Sequence, residues 1–191
     1  MEMKKLSGFI FWLFGWKITG EIPDNVRKSV MIIAPHTSNW DFIIGRLACW
    51  KLRIPSTFLI KKEFFFFPMG YIMKALGAMP VDRDKGANIV NQSLDIINSK
   101  EFITITITPE GTRKYSENWK RGFYYIAEKA AVPIVLGYIN YRDKTGGVGG
   151  MIYPTGNFDD DFSKILEFYK QNAYPKHPEN FNLTDQLTTK H

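Results

Sequence analysis

The clearest hydrophobic pattern in the chain is the alternation in FITITIT (102–108), which puts Ile103, Ile105 and Ile107 on one face of a strand and threonines on the other. Two denser apolar runs, SVMIIAP (29–35) and VPIVLGYINY (132–141), predict buried strands, and STFLIKKE (56–63) predicts another. Between them the apolar spacing changes to three and four residues. DFIIGRLACWKL (41–52), ANIVNQSLDIINSK (87–100) and RGFYYIAEKAA (121–131) therefore predict helices. PMGYIMKALG (68–77) predicts a shorter helix, opened by Pro68 and closed by Gly77. AMPVDRDKG (78–86) reads as a strand end or loop, TGGVGG (145–150) as a turn and MIYPTG (151–156) as its partner strand. DDDFSKILEFYKQN (159–172) predicts a last amphipathic helix, its three aspartates complementing the N-terminal dipole. Strands alternating with helices predict a single α/β domain. Its central sheet is mixed but largely parallel and flanked by helices, with the site at the carboxyl ends of the strands.

Length supports one domain, since 191 residues suffice for one substantial core and not for two. A net charge of +6 favours acidic partners: nucleic acid, an anionic membrane surface or phosphorylated small molecules. The basic residues form no aromatic-interleaved stripe and there is no phosphate-binding Gly-Lys-Ser/Thr loop, so no nucleic-acid or nucleotide partner is expected. The single cysteine, Cys49, excludes an internal disulfide and fits a reducing compartment. Its apolar neighbours in RLACWK suggest an inert buried thiol. With three histidines, two of them in the C-terminal segment, a histidine-rich metal centre is not expected.

The N-terminus, MEMKKLSGFIFWLFGWKITG, places two lysines before an aromatic run too short to span a bilayer and followed by no signal-cleavage site. Residues 1–19 read as an interfacial amphipathic segment and residues 20–191 as the folded domain. Packing of that segment on the core is an equal alternative. Phe64 to Phe67 have three readings: acyl groove, membrane contact, or core for two of the four.

Candidate chemistry starts at His36 and Asp41 in MIIAPHTSNWDFIIG. Five residues of helix turn a side chain by about 140°, so the two cannot share a helical face. They meet if His36 lies in the loop after a strand and Asp41 in the first turn of the next helix, capped by Ser38 or Asn39. The carboxylate then fixes one ring nitrogen and leaves the other as a base. A second loop, at Pro109, supplies Glu110, Gly111, Thr112 and Arg113 in succession. Arg113 offers a planar fork for phosphate and Gly111 permits close backbone approach. PVDRDKG adds Arg83 between two aspartates.

Taken in order, HTSNWD, MPVDR, PEGTR and VPIVLG resemble the four sequence blocks of the glycerolipid acyltransferase family, whose members make phosphatidic acid from lysophosphatidic acid and an acyl thioester. LIKKEFFFFPMGYIMKALG resembles the stretch joining the first two blocks. The resemblance runs from residue 35 to about residue 137 and implies direct attack of an acceptor hydroxyl on the thioester, with His36 as base and Asp41 orienting it. It places Arg83, Glu110, Gly111, Thr112 and Arg113 at the acceptor, the arginines on its phosphate, with Lys61 a further candidate for that anion. It implies no cofactor; acyl-CoA or acyl-ACP is a co-substrate, so an acyl carrier protein is a possible partner. The expected setting is peripheral, on the cytoplasmic side of a membrane bearing anionic lipids and the lysolipid acceptor. Trp40, just before the aspartate, and the short chain depart from the family pattern and leave other acceptors open, such as lyso-aminolipids. The alternative from another class is a non-catalytic peripheral lipid-binding protein.

Overall fold

The computed structural model describes residues 2–82, 88–181 and 183. Helix α1 (Glu2–Leu13) leads into a short strand β1 (Lys17–Thr19). Strand β2 (Lys28–Ala34) and helix α2 (Asn39–Leu52) follow, then β3 (Ser56–Lys61), α3 (Met69–Ala75), β4 (Ala78–Val81) and α4 (Asn88–Asn98). The chain continues through β5 (Ile103–Ile107), α5 (Gly122–Lys129), β6 (Ile134–Asn140), β7 (Thr145–Ile152) and α6 (Phe158–Asn172).

The seven strands form one sheet in the order β1-β7-β6-β2-β5-β3-β4, in which only the β6 and β7 pairing is antiparallel. This is the mixed, largely parallel α/β sheet that the sequence predicts. On one face Val30, Ile32, Ile105, Ile134 and Leu136 pack under α4, α5 and α6, through Ile97, Phe123, Ile126, Ile165 and Tyr169. On the other, Met31 and Val135 meet Cys49 of α2, while Ile18 and Ile139 meet Phe11 of α1 and Ile44 of α2. The threonines of β5 turn towards the α2 side, where Thr104 shares a hydrogen bond with Ser29 (3.0 Å) and Thr106 one with Ser56 (2.8 Å). In each pair the two hydroxyls satisfy one another, the first pair being buried.

One finding differs from the sequence reading. TGGVGG is not a turn: it lies within β7, and the reversal is made by residues 141–144. There Asn140 and Asp143 bond each other, Oδ1 of Asn140 accepting from the Asp143 amide at 3.0 Å. The N-terminal segment packs on the core, one of the two readings open for it: Phe11 is buried against α2 and residues 17–19 pair with β7 at the sheet edge. The opposite side of α1 leaves Leu6, Phe9 and Trp12 exposed, as is Phe14 just beyond its end.

The sheet order fixes where a site can form. From β2 the chain leaves into α2 on one face, and from its neighbour β5 it leaves towards α5 on the other, so the two loops diverge at the same edge. A crevice at such a switch point is the default binding position in open α/β sheets.

Candidate active site

Helix α2 builds the first half. Ser38 is its N-cap, its hydroxyl accepting from the Trp40 amide, and Asp41 completes a capping box by accepting from the amide of Ser38. Oδ2 of Asp41 takes the amides of Thr37 (2.6 Å) and Ser38 (2.7 Å) and stands 3.6 Å from His36 Nδ1. The chain thus folds back as the spacing requires. The Asp41 carboxylate stands beside Nδ1 of His36, and Nε2 is on the far side of the ring. Burial lowers the His36 pKa below the usual imidazole value; Asp41 partly offsets this and Arg113 adds to it. The neutral, proton-accepting form is therefore favoured.

The loop after β5 builds the second half. Glu110 is buried, and its Oε2 accepts from the His36 main-chain amide at 2.7 Å, while Oε1 is buried with no partner among the described residues. Burial pushes this carboxyl up to about 8, against the lowering effect of the His36 amide. Gly111, at φ +68°, turns the chain back so that its amide bonds to the Thr108 carbonyl. The Lys120 side chain lies over this glycine, its Cγ 3.4 Å from where a Cβ would stand, so it is the positive φ that favours glycine here. Thr112 is exposed and accepts from the Lys114 amide, and Arg113 is exposed close enough to His36 to influence its charge.

Between these loops lies a cavity of about 540 Å³, with His36, Asp41, Gly111 and Lys120 among its lining. It continues beneath α4 and α5 past Leu59, Val81, Val90, Ile107, Phe123 and Ile126, a run of apolar side chains. Arg46 and Phe42 line it on the α2 side. Among the described residues no three His, Cys, Asp or Glu side chains cluster to hold a metal ion.

The candidates named from sequence are brought together unevenly. His36, Asp41 and Glu110 are in contact, with Gly111, Thr112 and Arg113 on the same loop as Glu110. Lys61 ends β3 opposite Val81 and does not line the cavity. Arg83 lies outside the described residues. Phe64, Phe66 and Phe67 are exposed and none lines the cavity, so neither the acyl-groove nor the core reading of that run holds. Cys49 is buried, and burial raises its thiol pKa, the opposite of what a nucleophile needs.

One residue of the site was missed. Tyr141, from the turn after β6, donates its hydroxyl to Asp41 Oδ1 at 2.5 Å across 100 residues of sequence. Its only sequence signal was its place at the end of a predicted strand.

The geometry places an imidazole, with a carboxylate beside it, at a crevice with an apolar extension, and the comparisons identify the class. The family model described as Acyltransferase matches residues 17–139, more than half of the chain, and the chain belongs to that family. Among solved structures it is similar to the 1-acyl-sn-glycerophosphate (LPA) acyltransferase PlsC from Thermotoga maritima. The likeness has a TM-score of 0.60 at 15% identity, over 89% of this chain and 76% of that one. The shared fold agrees with the glycerolipid acyltransferase resemblance of the sequence blocks. No curated protein matches the chain.

Proposed function

We propose that this protein moves a fatty acyl group from an acyl thioester, on coenzyme A or acyl carrier protein, to the hydroxyl of a lysophospholipid of the 1-acylglycerol-3-phosphate type. The observation that carries the reading is His36, with the Asp41 carboxylate 3.6 Å from its Nδ1, lining a cavity with an apolar extension. His36 Nε2 takes the proton of the acceptor hydroxyl as its oxygen adds to the thioester carbonyl carbon. The tetrahedral oxyanion collapses with cleavage of the C–S bond, and the departing thiolate takes the proton from the imidazolium. No acyl-enzyme forms. General-base assistance of this kind contributes about 10²- to 10⁴-fold in rate. Arg113, with Thr112, Gly111 and Arg83, binds the acceptor phosphate; Lys61, which does not line the cavity, is left out of that set. Glu110 acts beneath the surface, holding the His36 loop.

The setting is a membrane surface on its cytoplasmic side. Supporting it are the exposed Leu6, Phe9, Trp12 and Phe14 beside Lys4 and Lys5, a second exposed group at Phe66, Phe67 and Tyr71, and the net positive charge. Among the described residues no helix is long and apolar enough to cross a membrane.

The test is acyl transfer from a radiolabelled thioester on either carrier to a panel of lysophospholipids and lyso-aminolipids, comparing wild type with His36→Ala. Transfer that vanishes in the folded variant supports the reading and selects the acceptor. Lipid binding without transfer to any acceptor would replace it with a non-catalytic lipid-binding role.

A further inference from the structure

We infer that Tyr141 and Trp16 are positioning residues for the His36 and Asp41 pair, so that the N-terminal segment serves the reacting centre as well as a lipid surface. The inference rests on the acyl-transfer reading above. Oδ2 of Asp41 is committed to the amides of Thr37 and Ser38, and among the described residues the hydrogen bond to Oδ1 comes from Tyr141. That bond joins the start of α2 to the end of β6. Burial and the Asp41 contact raise the Tyr141 pKa, so the phenol stays a donor.

A tyrosine hydroxyl keeps its aim only while its ring is held. Trp16 meets that ring edge-on at 5.3 Å, with planes at 86°, a favourable aromatic arrangement. Trp16 is itself fixed at the junction of α1 and β1: its amide donates to the Phe11 carbonyl at 2.7 Å, and the next amide, Lys17, donates to Lys144 at 2.8 Å. The Tyr141 backbone is tied separately, its amide donating to the Tyr174 carbonyl at 3.0 Å. The Asp41 carboxylate is thus set by a chain of contacts that begins at the end of α1.

Removing the hydroxyl has a definite electrostatic sign. The phenol draws charge from Oδ1, so without it the carboxylate facing His36 is more negative and the imidazolium is better stabilised. The groups facing His36 from the loop after β5, Arg113 and Glu110, keep their places, as does the C-terminal segment, where the His177 amide donates to Thr37 Oγ1 at 3.3 Å.

The experiment compares wild type, Tyr141→Phe, Trp16→Leu and the double variant. Turnover is measured with a short-chain thioester and a short-chain lysolipid below its micellar concentration, and the His36 ring is titrated by NMR. Tyr141→Phe is expected to lower kcat about tenfold with KM little changed, the scale of one hydrogen bond to a charged group. The His36 midpoint is expected to move upward. Trp16→Leu should show a smaller loss of the same kind, and the double variant should be no worse than Tyr141→Phe, because the two act through one hydroxyl. A folded Tyr141→Phe with wild-type kcat and an unmoved or lowered His36 midpoint overturns the inference. So does a Trp16→Leu defect that appears only with vesicle-borne substrate. If the wild type itself transfers no acyl group, the functional reading fails, and the NMR midpoint still decides the positioning.

Discussion

The main-chain amide of His36 donates to Glu110 Oε2 at 2.7 Å, fastening the loop after β2 to a carboxyl from the loop after β5, 74 residues away. Both loops leave neighbouring parallel strands at the same sheet edge, so the bond ties together the two loops that flank the crevice. Because Glu110 is buried, it shapes the site from below, leaving the exposed Arg113 on the same loop to face a solvent-borne ligand. An acceptor carboxyl is well suited to this, since a neutral carboxyl still takes an amide hydrogen through its carbonyl oxygen.

The same burial makes a stability prediction. Glu110 has a folded pKa of about 8 against an ordinary 4.5, so between those values the folded protein holds a proton that the unfolded chain has lost. Stability from this group is fully present below the ordinary value and is lost as pH rises through about 8. Glu110→Gln keeps an oxygen for the His36 amide and removes the titration. Thermal melts across that window should show wild-type Tm falling as pH rises relative to the variant. Parallel curves for the two proteins would show that Glu110 is not the group responsible.

Arg113 is expected to act twice. As a planar fork near His36 it suits an acceptor phosphate, and as a positive charge it lowers the His36 pKa. Arg113→Gln should raise KM for a phosphate-bearing acceptor by about tenfold to a hundredfold, the value of a charge-assisted contact. It should also shift the acid limb of kcat to higher pH, because the imidazole is a base only above its pKa and losing the arginine raises that pKa. A variant with wild-type KM and an unmoved limb would remove Arg113 from the site.

Gly147 supports a prediction about the sheet edge. Its φ is +129°, and a Cβ there would lie 1.9 Å from the Thr19 carbonyl oxygen, because β1 pairs with β7 at this position. Gly147→Ala must push β1 away or strain the backbone. A cost of about 2 to 3 kcal/mol is expected, lowering Tm by roughly 5–10 °C in a chain of this size. An unchanged melt would mean that β1 can leave the edge without cost.

That glycine also shows where sequence reading stopped. Local rules take TGGVGG as a turn because glycine is the usual turn residue. Here at least one glycine is required by a strand that lies more than 120 residues earlier, and nothing near it in the sequence signals that. The alternation in FITITIT, the Ser38 cap and the fold-back of Asp41 onto His36 were legible, because each depends on residues within a few positions of one another. Tyr141 and Trp16 were not, because their roles arise only when β6, α1 and α2 are packed together. The phenylalanine run stayed ambiguous for a similar reason: its sequence allowed acyl groove, membrane contact or partial core, and the exposure of Phe64, Phe66 and Phe67 follows only once the fold around them is placed.

The apolar extension of the cavity gives the last prediction. Val90 of α4 faces Leu59, Ile107 and Phe123 across a space that continues from His36, and it is only half-buried, so a larger side chain can enter without displacing the core. If the acyl chain occupies this space, Val90→Phe shortens the chain that fits. Each methylene excluded forfeits about 0.8 kcal/mol of burial, so loss of two costs about an order of magnitude in kcat/KM. Longer thioesters should therefore fall behind shorter ones in the variant, while the shortest donors keep their wild-type rate because His36 and Asp41 are untouched. Competition between donors of increasing chain length, measured in wild type and variant, reads the shift directly. An unchanged length preference in an active Val90→Phe protein would place the acyl chain elsewhere, with the α2 side of the cavity, lined by Phe42 and Arg46, as the remaining route.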